Sequence, residues 1–176
     1  MRNLIFSLLF TLSAFGQLST QKITVHIIDT FDKYIGVYEY VYPYNTDDLI
    51  ENHFIVLSKV DNKLTGYYYG TSDEFDLARE GYIPAFFVSK MDNLKIKGDT
   101  ITFKLNVENA DFLTKAVDLK YKSTKEAIHA GYKNWKNKIT TNPKYYQGLL
   151  KNYKMIVFKG DQQSLYKTFN KRTTTR

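Results

Sequence analysis

Cysteine is absent from the 176-residue chain. That removes disulfides, thiol catalysis, thiolate metal sites and a lipid anchor on an N-terminal cysteine, and it leaves stability to packing. Proline is scarce, at three residues, and no Pro-rich or low-complexity linker divides the chain. Long hydrophobic runs are missing too. The stretch Leu4 to Leu12 falls far short of the roughly 20 residues that span a bilayer as a helix. Gly-x-Ser-x-Gly and His-Glu-x-x-His do not occur, so the linear signatures of serine and zinc hydrolysis are lacking. His26, His53 and His129 are scattered over two expected strands and a helix, and each reads as a surface or packed residue. Asp73-Glu74-Phe75-Asp76 gathers carboxylates without the spacing, glycine and distal glutamate of an EF-hand loop. Glu39 and Glu51 would neighbour each other across strands as a glycosidase pair does, but nothing marks them out from any two acids. No metal, no cofactor and no catalytic residue is expected from these motifs.

Aromatic residues are what the chain has in quantity, with 15 Tyr and 12 Phe. Their weight beside β-branched neighbours favours sheet over helix. At the N-terminus, Arg2, the apolar Leu4 to Leu12 stretch and the small-residue stretch Ser13-Ala14-Phe15-Gly16 before Gln17 have the three regions of a cleavable export signal. Residues 1–17 are therefore expected to be removed, leaving 18–176 as one exported domain, periplasmic or extracellular.

Period-two alternation and turn residues predict strands at Lys22–Ile28, Tyr34–Tyr42, Leu49–Val60, Lys63–Gly70, Tyr82–Met91, Leu94–Lys97, Thr100–Val107 and Asp111–Leu119. In Thr100–Val107, Ile101, Phe103, Leu105 and Val107 share one face and Thr, Lys and Asn the other, the pattern of a half-buried antiparallel strand. Asp61-Asn62, Asp92-Asn93, Gly98-Asp99 and Glu108-Asn109-Ala110 read as tight reversals. A helix is expected over about Ser123–Ile139. Ser123-Thr124-Lys125-Glu126 would form its capping box, and Ile128, Tyr132, Trp135 and Ile139 its apolar stripe. Lys154–Lys159 and Ser164–Phe169 follow as a final hairpin. The expected fold is mostly β: an antiparallel up-and-down meander closing as a barrel, with one late α-helix before the final hairpin.

Alternating the meander's ends strand by strand puts Pro43–Asp48, Thr71–Gly81 and Gly98-Asp99 at one mouth, with an acidic rim of Asp47, Asp48, Asp73, Glu74, Asp76, Glu80 and Asp99 against Arg79. Charge is divided along the chain as well. Leu18–Asp118 carries 10 basic and 16 acidic residues, Leu119–Arg176 14 basic and 2 acidic. Lys133, Lys136, Lys138, Lys144, Lys151 and Lys154 could meet an anionic surface or acidic protein, for which sign and density of charge suffice. Nucleic acid does not fit an exported chain.

Gly36-Val37-Tyr38 near the start of an early strand, and the helix before the last strands, resemble the lipocalin-like (calycin) families, in which Gly-x-Trp stands at that place. Tyr replaces the Trp, and Arg172 is the candidate for the family's packing Arg. The resemblance covers residues 33 to 170 in pattern and implies a barrel that binds a small, largely apolar ligand. Tyr40, Tyr42 and Tyr68, with Arg79, are the expected contacts of a small amphipathic ligand, because Tyr joins an apolar face to a hydroxyl. The alternative is a non-enzymatic interaction or inhibitor protein that uses the basic C-terminal third.

Overall fold

The computed structural model describes residues 31–71, 85–107, 112–134, 143–159 and 166–173. A 3-10 turn, Asp32–Tyr34, leads into β1 (Gly36–Tyr40), β2 (His53–Val60), β3 (Lys63–Thr71), β4 (Phe86–Lys90), β5 (Asp92–Lys97) and β6 (Thr100–Leu105). The short helix α1 (Thr124–His129) precedes β7 (Lys144–Lys151), β8 (Met155–Lys159) and β9 (Tyr166–Lys171). The nine strands make one antiparallel sheet in the order β4-β3-β2-β1-β9-β8-β7-β6-β5. Its two margins, β4 and β5, are separated in sequence by Met91 alone, so the sheet curls into a nearly closed barrel and leaves little bare edge. The mostly β, antiparallel meander with one late helix is thus present.

Inward positions recur at period two. Ile101, Phe103 and Leu105 of β6 are buried while Thr100, Thr102 and Lys104 are partly exposed. His53, Ile55 and Leu57 of β2 and Ile156 and Phe158 of β8 do the same. The apolar side chains among these, with those of Tyr38, Tyr68, Phe87 and Phe169, form the main core, and His53 is buried beside Tyr68. A second core lies outside the barrel, where residues 112–134 cover β2, β3 and β4: Leu113, Val117, Ala127 and Tyr132 pack on Tyr69 and Val88. The Tyr69 hydroxyl donates toward the carbonyls of Leu119 (3.0 Å) and Tyr121 (2.7 Å), and burial pushes its pKa up.

The helix is much shorter than its apolar stripe predicts. Ser123 Oγ accepts from Glu126 N–H (3.3 Å), but Glu126 Oε2 accepts from Lys122 N–H (2.6 Å) rather than from Ser123. The helix stops at His129 because Gly131 adopts φ +94°, a left-handed residue that ends helices. Tyr132 is buried all the same, by the turn that follows. Of the predicted strand Asp111–Leu119, residues 112–119 are described, and among them only Leu113 forms bridges, to Phe86 and Asn134. Phe112 enters the main core while Leu113 and Val117 enter the outer one, so consecutive residues are buried and no strand results. β7 was not expected, and the final strand runs two residues beyond the predicted Phe169, to Lys171. The predicted strand Lys22–Ile28 and residues 135–142 of the helix region lie outside the described residues.

Asp92-Asn93 is not a reversal. β4 and β5 run on in one direction, β4 pairing with β3 and β5 with β6, and Asn93 (φ +53°) sits in a bulge. Every end assigned after that point therefore switches. Gly98-Asp99 joins Asp61-Asn62, Asn152–Lys154 and the 3-10 turn at one end, and Asp99 leaves the proposed rim. The connections β1–β2, β3–β4, β6–β7 and β8–β9 reverse the chain at the other end, called here the loop end.

Candidate functional site

One end of the barrel is sealed by residues of the Gly36-Val37-Tyr38 segment. Tyr38 is fully buried, and its hydroxyl donates to Tyr34 O (2.8 Å), with Tyr153 O at 3.3 Å. Burial pushes this phenol up to about 12. Tyr34 in turn reaches Gly98 O (3.5 Å) and packs edge-on against Tyr153. Lys171 Nζ lies 5.7 Å from the centre of the Tyr38 ring and donates to Lys33 O (3.1 Å); desolvation lowers its pKa. A Cβ on Gly36, at φ +146°, would stand 2.6 Å from Lys171 Cε. Glycine is needed there for its backbone and for the lysine stem that crosses it. The basic residue packed on the aromatic of this segment is therefore Lys171 and not Arg172, which points outward, donating from Nε to Glu39 Oε2 (2.7 Å) with its guanidinium over Phe54.

The middle of the barrel is filled with rings. Tyr68 is 1% exposed and contacts Phe87, Phe103, Tyr146, Phe169 and His53 at centroid distances of 5.7 to 6.4 Å. Phe103 stacks on Tyr146 at 4.9 Å. Such contacts hold side chains at crystal-like density.

Toward the loop end a cluster of polar groups enters the interior. His53 is 1% exposed; its Nδ1 is 2.9 Å from the Tyr68 hydroxyl and its Nε2 is 3.4 Å from Thr71 Oγ1. A neutral imidazole offers one donor and one acceptor, and each hydroxyl can answer either, so both tautomers are satisfied. Tyr40, half-buried, meets His53 edge-on at 5.8 Å and lies 5.7 Å from Phe169, with Lys167 Nζ 5.5 Å from its ring. Glu51, buried just ahead of β2, donates its N–H to Asn45 Oδ1 (2.8 Å). Asn52 ties the β1–β2 connection together, accepting from Tyr42 N–H and Asn45 Nδ2 and donating to Glu39 Oε1. The same connection exposes Val41, Tyr44 and Ile50.

Of the residues singled out in the sequence, Tyr40 and Tyr68 meet around His53, and Tyr42 stands further along β1's line, edge-on to Tyr44. Arg79 lies outside the described residues, as do Asp73, Glu74, Asp76, Glu80, Lys136 and Lys138. Glu39 faces outward in its pair with Arg172 and does not meet the buried Glu51. His53 is buried and His129 exposed, and among the described residues no group of three His, Asp or Glu could hold a metal ion. Lys133 sits on the segment covering β2 to β4, whereas Lys144 and Lys151 stand at opposite ends of β7. Sequence reasoning missed His53 as the centre of a site. The available signal was its place among Ile55 and Leu57 on the inward face of a strand, where a polar residue is conspicuous.

No helix among the described residues is long and apolar enough to cross a membrane. No protein-family model, curated protein or solved structure matches the chain.

Proposed function

We propose that this protein is an exported carrier or sensor of a small amphipathic molecule, taken at the loop end of a lipocalin-like barrel. One observation carries the reading: His53, Thr71, the Tyr68 hydroxyl and Glu51 are buried at the loop end of an otherwise apolar interior. These groups are paired, as burial demands, since an unpaired one would cost about 1–3 kcal/mol; at the sealed end the buried hydroxyls are those of Tyr34 and Tyr38. A polar apex above a floor of rings suits a ligand with one apolar face and one hydrogen-bonding group. The aromatic filling below Tyr68 favours a short ligand over a long acyl chain. Tyr40 is the residue best disposed to stack on it, being half-buried beside His53. Removal of residues 1–17 belongs to the same proposal, since it would deliver the domain outside the cytoplasm.

The test is titration of the full chain with the neutral fluorescent amphiphile N-phenyl-1-naphthylamine, together with native mass spectrometry of freshly purified protein. The expected result is saturable one-to-one binding that weakens about tenfold in Tyr40→Ala, or a co-purified small molecule released by His53→Leu. Unsaturable binding in every variant, with no co-purified mass, would refute the reading. N-terminal mass determination from the native host should find Gln17 or Leu18 first.

A further inference from the structure

We propose that the outer wall over β5, β6 and β7 carries a second site, independent of the barrel interior, for a negatively charged saccharide. The wall parts at the β5 bulge. Asp92 pairs with Lys104 and Lys95 with Thr102, so Asn93 and Leu94 together stand opposite Phe103 alone. A bulge breaks the ladder and bends the strand. Here it opens a groove of about 450 Å³ lined by Asn93, Lys95, Thr102, Lys104, Tyr145 and Gln147, over the strand segments of Phe103 and Tyr146, whose stacked rings pack inward.

Two rungs cross the groove. Lys95, Thr102 and Gln147 align on one, and Asp92, Lys104 and Tyr145 on the next. Tyr145 is 78% exposed, with Lys104 Nζ 5.7 Å from its ring centre. Among the described residues neither Lys95 nor Lys104 forms an ion pair. The carboxylate of Asp92, on the same rung as Lys104, accepts from Asn106 Nδ2 (2.9 Å). Strand spacing puts the Cα atoms of Lys95 and Lys104 roughly 8 Å apart on the diagonal, a spacing on the scale of one pyranose ring.

Each part matches a feature of an acidic sugar. The apolar C–H face of a pyranose stacks on an exposed phenol ring, ring hydroxyls suit the side chains of Asn93, Thr102 and Gln147, and a carboxylate or sulfate suits two lysines. A run of nucleobases fits less well, because a stacking platform needs exposed rings at successive positions and Tyr145 is the exposed ring on this wall. Lys95 and Lys104 come from the part of the chain in which acidic residues outnumber basic ones, so the basic site is assembled by the fold and not by the basic C-terminal third.

Isothermal titration of the full chain with tetragalacturonate tests this, with maltotetraose and oligo-dT as comparison ligands. Expected are binding of the uronide over both comparison ligands, loss of about tenfold in affinity for Tyr145→Ala and for the double variant Lys95→Gln/Lys104→Gln, and no change for Lys63→Gln at the start of β3. Equal binding of maltotetraose, stronger binding of oligo-dT, or wild-type affinity in Tyr145→Ala would each overturn the proposal, as would no uronide binding at millimolar concentration. All these side chains are at the surface, and circular dichroism of each variant separates lost contact from lost fold.

Discussion

Replacing Gly36 by alanine should destabilise the barrel through Lys171, and the size of the effect can be worked from the sealed end. The backbone at φ +146° costs a side-chain-bearing residue on the order of 1–3 kcal/mol. The new Cβ also stands 2.6 Å from Lys171 Cε, so the lysine stem must move. Moving it weakens the donation to Lys33 O and the stack over Tyr38, worth roughly 1.5–3 and 0.5–1 kcal/mol respectively. Gly36→Ala should therefore lose about 3–7 kcal/mol, the upper end applying if both Lys171 contacts are lost outright, a large share of a domain's stability. In a Lys171→Ala background the steric part vanishes and the same substitution should cost only the backbone strain, about 1–3 kcal/mol. Lys171→Met keeps the stem and removes the charge, so it should not relieve the clash. Urea unfolding followed by circular dichroism measures all five proteins. A loss below about 1 kcal/mol for Gly36→Ala, or single effects that simply add, would refute this account of the glycine.

Three further outcomes are expected. Gly148→Ala places a methyl 2.7 Å from Phe158 Cε1 and should cost about 1–3 kcal/mol in urea unfolding, because the ring is packed on both sides. Tyr69→Phe removes the donor to the Leu119 and Tyr121 carbonyls. It should cost about 1–2 kcal/mol and raise amide exchange across residues 119–134 before it affects β6 to β8. Stability should also fall as pH rises above about 10. The Tyr38 phenol titrates near 10 when unfolded and at about 12 when folded, so the unfolded chain loses its proton first. The contribution is complete below pH 10 and declines by roughly 1.4 kcal/mol per pH unit between those values. Tyr69 acts in the same direction, and a urea midpoint unchanged between about pH 9 and 11 would contradict both.

What could be read from sequence followed periodicity, and what could not depended on partners far along the chain. β6 was plain because its apolar and polar faces alternate without exception. β7 was hidden because Tyr145 and Leu149 stay apolar on the outer face while Gly148 interrupts the inner one. Asn93 was rightly marked as tolerant of positive φ, but a turn and a bulge make the same demand on one residue, and only β6 opposite decides between them. The helical stripe over Ile128 and Tyr132 was real as burial and false as helix, since Gly131 turns Tyr132 onto Tyr121. The Gly36-Val37-Tyr38 segment was visible, whereas its lysine partner depends on which of two adjacent basic residues faces inward at the end of β9. Lys171 and Arg172 differ by one position and therefore by one side of the wall.

The pairing of β1 with β9 also sets a sequence of events. Glu39 and Arg172 are 133 positions apart, and closing a loop of that length costs roughly 4 kcal/mol of chain entropy before any contact forms. A ribosome therefore delivers eight strands before β9 can dock. Until then β1 and β8 are bare margins, open to proteases and to one another's copies. Chains that lack β9 should be cleared or aggregate rather than persist as partly working barrels, because β1 and β8 then have no strand between them.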